Sequence, residues 1–310
     1  MGARVRTAVL FAVIIAIFIL VGGLVGEFVF QSWLAGLIIA LGLAVVLNLV
    51  SYFFCDRIVL WSTKAKIVSP QEAPRLARIV DELAPEFGLV APRLAIVPTQ
   101  TPNAFATGRD ERHAVVAATE GILRMLNDRE LRGVLAHELA HVRDRDVLLM
   151  TFAATVAGAI SYAANIAFFS MFFGGSSNRN GVNPILLLVA LVTAPIAAML
   201  IQLAISRSRE YRADEVGAFT LGDPEALASA LQKLEVANSR QPMNVGSPAQ
   251  SSLYIVNPFR GASFATIFST HPPTPERIRR LRAMRKDPSY RPKVKGPSFS
   301  QSSAGRSVGS

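Results

Sequence analysis

The chain has 310 residues, of which 51% are hydrophobic and only 17% charged, with a formal net charge of +10. Ordinary soluble domains carry about a quarter charged residues, so the shortfall points to part of the chain lying in lipid. The basic residues flank apolar runs and fill the C-terminal end instead of forming one stripe, which argues against a nucleic-acid partner and for contact with anionic lipid headgroups. The single cysteine, Cys55, excludes an intrachain disulfide and fits a reducing compartment.

Four stretches carry no charged residue over membrane-spanning length: 7–26, 28–55, 147–173 and 184–206. Each reaches the roughly 20 residues an α-helix needs to cross the hydrocarbon core. In lipid the backbone must satisfy its own hydrogen bonds, so these stretches are predicted as helices. Arg4 and Arg6 before the first stretch would also suit a signal peptide, but the apolar run is too long, no A-x-A site follows, and a second span begins almost at once. The third and fourth stretches lack the charged face that core helices of a soluble domain would show.

Lys and Arg placement sets the orientation. Arg4 and Arg6 precede the first span, and the loop after it holds Glu27 and no base. The segment after the second span is rich in Arg and Lys, the loop after the third holds only Arg179, and Arg207, Arg209 and Arg212 follow the fourth. The positive-inside rule then predicts a multi-pass protein of the cell membrane with both termini and segment 56–146 in the cytoplasm.

Between the second and third spans, Ser69-Pro70 is predicted to open an amphipathic helix with Leu76, Ile79, Val80 and Leu83 on one face and Gly88 near its end. Residues 93–98 and 113–119 read as strands with Asn103–Gly108 between them. A helix is predicted from Asn127-Asp128 through His141, another over about 216–237 starting near Asp223 or Pro224, and a basic one over 275–285. Residues 238–264 read as a long loop, and the tail after Lys286 offers nothing to bury and reads as disordered.

His137-Glu138-Leu139-Ala140-His141 carries the chemistry. Residues four apart share a helix face, so both imidazoles can grip one Zn²⁺ at about 2.0–2.1 Å. Glu138 lies roughly 100° around the helix, where it can act as a general base on a water. Leu131, Val134, Leu135 and Leu139 give the helical apolar pattern around the motif. A catalytic zinc site normally has three protein ligands and an open position. The extended HExxHxxGxxH pattern is absent, with Asp144 and Val147 at the Gly and His positions, so the third ligand must come from elsewhere. Glu210, after the fourth span, is the best candidate, with Asp214 one turn on as a possible acceptor from a ligand histidine. Spacing alone leaves open whether the two only pair with Arg207, Arg209 or Arg212. His271, before Pro272 and Pro273, is a donor to an oxyanion, a cap of the following helix, or a residue that only packs. His113 reads as surface structure, and Asp144 and Asp146 as salt-bridge partners anchoring the helix end.

NAFATG (103–108), HELAHVRDRD (137–146), SRSREYRADEVGA (206–218) and STHPPTPERIRRL (269–281) occur in this order. Together they resemble the HtpX family of membrane zinc metallopeptidases, gluzincin relatives of the CAAX prenyl proteases, over residues 1–285. The resemblance implies Glu210 as third zinc ligand, Asp214 as its support, His271 near the cleft, and Asn103, Ala104, Phe105 and Ala106 as an edge strand that binds extended substrate. It also implies quality control of misfolded membrane proteins. Tyr211 stands where many relatives have Phe.

The predicted fold is therefore mainly α and integral to the membrane, with four transmembrane helices plus a cytoplasmic α+β zincin-like catalytic domain containing a small sheet. Residues 1–56 form a membrane hairpin (spans about 7–26 and 32–55), 57–146 a catalytic part with the HExxH helix, and 147–206 a second hairpin. Residues 207–285 form the catalytic part with the third ligand, and 286–310 a basic tail. The predicted activity is zinc-dependent endopeptidase cleavage of membrane or membrane-associated polypeptides at the cytoplasmic face, with one Zn²⁺ per subunit. A specific processing protease and a non-catalytic zinc-binding scaffold are the alternatives.

Overall fold

In the computed structural model of the protein, the described residues are 31–148, 150, 151, 207–243, 253–258 and 272–286, with five scattered positions before residue 20. Nearly all of the expected spans 7–26, 147–173 and 184–206, most of loop 238–264, His271 and the tail after Lys286 lie outside them.

Helix α1 (Trp33–Ser62) is 30 residues long and starts at Ser32, whose side chain accepts from the Ala35 N–H. At 1.5 Å per residue it extends about 45 Å. Its foot packs on the rest of the fold, with Cys55 and Val59 buried and Asp56 paired with Arg93 at 3.2 Å. Above the foot, Trp33, Ile38, Ile39, Val46, Leu49 and Phe53 are exposed. Among the described side chains no helix is long and apolar enough to cross a membrane, and positions 40, 43, 44, 47 and 48 of α1 lie outside that set. The sequence of α1 carries no charged residue from Trp33 to Cys55.

The sheet contains β1 (Lys66–Val68), β2 (Arg93–Val97), β3 (Ala104–Thr107) and β4 (Val115–Thr119) in the order β1-β2-β4-β3. The β2–β4 pair is parallel and the other two are antiparallel, so β3 is an edge. Every residue of β3 and β4 is buried, consistent with strands covered on both faces. Strand β4 begins two residues later than the predicted 113. His113 instead closes a 3₁₀ turn (Glu111–His113), because Asp110 accepts from the Arg112 and His113 N–H groups and from His113 Nδ1 at 2.6 Å.

Helix α2 (Pro74–Leu83) also starts later than the predicted Ser69. Ser69 does form the local ring expected of a helix start, its N–H and hydroxyl donating to Glu72 at 2.7 and 2.8 Å. The chain makes one turn there, and the helix begins at Pro74, whose missing N–H costs nothing in the first turn. Leu76, Ile79, Val80 and Leu83 form its buried stripe.

Short α3 (Glu120–Met125) leads into α4 (Asp128–Arg143). A capping box starts α4: Asn127 Oδ1 accepts from the Glu130 N–H at 2.9 Å and Glu130 accepts from the Asn127 N–H at 3.2 Å. Glu130 also receives Ser229 Oγ at 2.7 Å and Lys233 Nζ at 2.7 Å, which ties this end of α4 to α6 (Pro224–Arg240). Helix α5 (Arg207–Leu221) lies across the other half of α4, and α7 (Thr274–Met284) packs on α5 and α6.

Two glycines permit these close crossings. A Cβ on Gly133 would meet Leu227 N at 2.6 Å, and one on Gly217 would meet His137 N at 3.0 Å. The second approach brings the face of α5 bearing Glu210, Asp214 and Gly217, spaced at four and three residues, onto the histidine turn of α4.

Candidate metal centre

His137, Glu138 and His141 are all buried on α4, and the two imidazoles stand one turn apart with ring centroids 4.7 Å apart and planes nearly perpendicular. Glu210, equally buried, reaches between them from α5. One of its oxygens lies 3.7 Å from His137 Nε2 and the other 3.4 Å from His141 Nε2. One ligand atom from each of the three residues falls within a 4.8 Å group.

These residues fit a metal ion. Two ligand atoms about 2.0–2.1 Å from one tetrahedral ion lie roughly 3.3–3.4 Å apart, close to the separations between Glu210 and the imidazoles. Both nitrogens of His141 are buried without a hydrogen-bond partner, its carboxylate neighbours standing at 3.4 and 3.8 Å. Buried polar atoms rarely go unsatisfied, and a metal ligated at Nε2 would supply the missing contact. Two imidazoles and one carboxylate leave a fourth tetrahedral position open.

Buried charges stand next to the cage, and a more exposed pair lies beyond them. Asp214, one turn along α5 from Glu210, sits 2.9 Å from His137 Nδ1. Asp146, beyond the end of α4, lies 3.8 Å from His141 Nδ1 and 3.4 Å from Arg209 Nη1. Asp144 pairs with Arg212 of α5 at 2.8 Å. The two histidines are poised differently. Burial pushes His137 down to about 4 despite Asp214. Burial opposes the charge on His141 as well, but Asp146 and Glu210 outweigh it and raise the group to about 10. Burial, with the Glu210 charge adding to it, pushes Glu138 up to about 7, against the opposing effects of His141 and a hydrogen bond from the Ala106 N–H.

That bond links the site to the sheet edge. Asn103 and Ala104–Ala106 lie beside the α4 site, with the Asn103 N–H donating to Thr119 Oγ1 at 2.8 Å. The outer side of β3 is engaged at its first residue, where Ala104 O accepts from the Ile255 N–H at 3.2 Å. Asn103 Nδ2 donates to Val256 O at 2.6 Å, and the Phe105 and Tyr254 rings meet edge to face at 5.2 Å. Segment 253–258, read from the sequence as part of a long loop, thus lies against the β3 edge.

Sequence reasoning missed Arg277 on α7. It is 1% exposed, and its guanidinium grips Asp214 through Nε at 2.8 Å and Nη2 at 2.7 Å. Burial disfavours its charge, but Asp214 holds the cation firmly protonated. Asp214 is likewise kept ionised: burial opposes its charge, and Arg277 more than compensates. The available signal was weak, because Arg277 stands in a run of exposed arginines, and only its spacing of four from Leu281 marks it as facing inward.

The sequence model of peptidase family M48 matches residues 70–285. A protease HtpX homolog of Pyrococcus furiosus is 52% identical over 283 residues, covering 91% of this chain and 96% of that protein. One from Syntrophobacter fumaroxidans is 50% identical over 288 residues, covering 92% of this chain and 100% of that protein. Among solved structures, the crystal structure of S. mikatae Ste24p aligns at 18% identity with a TM-score of 0.46, covering 87% of this chain and 62% of that one. With a family match over residues 70–285 and relatives about half identical over nearly their full length, the chain belongs to peptidase family M48 and is a metalloprotease.

Proposed function

We propose that the chain is a zinc-dependent endopeptidase that cleaves misfolded membrane or membrane-associated polypeptides at the cytoplasmic face. The observation that carries this reading is the buried cage of His137, His141 and Glu210, with Glu138 on the same helix tied to the neighbouring edge strand through Ala106. His137, His141 and Glu210 would hold one zinc ion. Asp214 accepts from His137 Nδ1 and so leaves the lone pair on Nε2. Bound zinc supplies a Lewis acid for the scissile carbonyl and makes a water acidic enough to react near neutral pH. Glu138 takes the proton of the attacking water and later delivers it to the leaving amine. Burial of this carboxylate within the helix packing keeps bulk water from competing for the proton. His271, which precedes Pro272 and Pro273 in the sequence, is the candidate donor to the tetrahedral oxyanion.

Extended substrate is proposed to pair along β3, with segment 253–258 beside its path. The membrane part of the reading rests on the charge-free, outward apolar length of α1 and on the three other charge-free stretches of the sequence. Basic residues after the second and fourth stretches support a cytoplasmic site close to the bilayer surface.

Detergent-purified protein incubated with an unfolded reporter such as casein tests the reading. Cleavage should stop when a chelator strips the metal and return when zinc is added. Cleavage unaffected by the chelator would overturn it.

A further inference from the structure

Beside the proposed ligand set, one buried side chain joins three parts of the fold. Arg277 lies on α7, more than sixty residues from Asp214 in sequence, yet its guanidinium meets that carboxylate with two nitrogens, at 2.8 and 2.7 Å. Its third nitrogen, Nη1, donates to Ile255 O at 2.7 Å and lies 4.0 Å from Glu210. Nη2 also stands 3.5 Å from each nitrogen of His137. The residue is 1% exposed, so its donors are committed to these partners and not to water.

Each contact has a consequence for the cage. Asp214 can hold His137 Nδ1 only if its own carboxylate is fixed, and a two-point arginine fork fixes both oxygens. Through Ile255 O the fork also holds the segment whose N–H bonds to Ala104 at the β3 edge. We propose that Arg277 is a positioning residue of the metal centre: acting through Asp214 it sets the orientation of His137, and through Ile255 it couples the cage to the substrate-pairing edge. A lysine could keep the charge but offers no planar fork able to meet Asp214 and Ile255 O together.

The inference rests on the metallopeptidase reading, and zinc affinity measured by competition with a chromophoric chelator separates the two. Wild-type protein that fails to bind zinc would sink that reading. Arg277→Lys should bind zinc roughly 10–100-fold more weakly than wild type, the range usual for loss of a group that orients a ligand. On saturating zinc it should show a lowered kcat and a raised KM together, since both the cage and the edge segment lose their anchor. Arg280→Met, on the same helix with its guanidinium 3.7 Å from the Tyr211 ring, should leave zinc affinity unchanged. Because Arg277→Lys removes a buried contact, a second variant guards against misfolding. Asp214→Asn/Arg277→Met removes both charges and leaves none unpaired in the interior. If Arg277 acts through Asp214, this double variant binds zinc as Asp214→Asn alone does. Wild-type zinc affinity in Arg277→Lys, or a double variant clearly weaker than Asp214→Asn, would overturn the proposal.

Discussion

Gly217 of α5 rests against the backbone of His137, so that a Cβ there would stand 3.0 Å from His137 N and 3.1 and 3.2 Å from the carbonyl carbon and oxygen of Ala136. The obstacle is main chain, which cannot turn aside as a flexible side chain would. In a helix interior, Gly→Ala ordinarily stabilises by about 1 kcal/mol. Here overpacking should outweigh that gain, at about 1–3 kcal/mol. Gly217→Ala is therefore expected to lower the melting temperature and to weaken zinc binding about tenfold, because Glu210 and Asp214 ride on the displaced helix. Gly133→Ala meets Leu227 N at 2.6 Å and should cost more stability. It acts on the α4–α6 contact, so zinc affinity should change less. Thermal melts with chelator competition check both, and a stabilised Gly217→Ala with full zinc affinity would contradict the packing argument.

Zinc loading should release a proton from His141. In the metal-free protein His141 is raised to about 10, so it holds its proton at pH 8, whereas His137, lowered to about 4, is already neutral. A ligand imidazole must be neutral at its coordinating nitrogen, so binding at pH 8 expels about one proton. The release should fade as pH rises through 10, where His141 loses its proton unaided. Calorimetric titration at pH 8 in buffers of different ionisation enthalpy measures it directly. No buffer dependence at pH 8 would contradict a protonated His141 in the metal-free site.

The only two tryptophans, Trp33 and Trp61, sit near the ends of α1 and are 59% and 82% exposed. Their separation along the helix is about 42 Å at 1.5 Å per residue, comparable with the thickness of a bilayer including its headgroup regions. If α1 spans the membrane, both rings lie at polar boundaries, as interfacial tryptophans do. In proteoliposomes, quenchers attached near the headgroup should therefore quench the fluorescence more strongly than quenchers at the bilayer centre. Trp33→Phe and Trp61→Phe separate the two signals. Quenching dominated by the central probe, or absent with both, would contradict a spanning α1.

The parts of the site legible in the sequence were those carried by local pattern. The HExxH turn, the helix start at Asn127-Asp128 and the apolar spacing of α4 all lie within one helix, so local pattern reveals them. Asp214 is one turn from Glu210, and that interval is also local. Arg277 was illegible because its role comes from α7 folding back across α5, a tertiary event with no nearby signature. The pairing of Ile255 with Ala104 joins residues far apart in sequence for the same reason. Local cues also misled. Ser69 and Glu72 form the ring that usually opens a helix, yet α2 waits for Pro74. His113 lies in an apolar run that suggests a strand, but three bonds to Asp110 hold it in a turn.

The most direct test of the account compares casein cleavage by wild type and Glu138→Gln at matched zinc content. Both proteins are expected to bind one zinc ion with similar affinity, because Glu138 is not assigned as a ligand. Hydrolysis by the variant should fall roughly 10²–10⁴-fold, the usual contribution of a general base. Glu138→Gln cleaving as fast as wild type at equal zinc occupancy would contradict the assignment of the base, and with it the proposed reaction at this site.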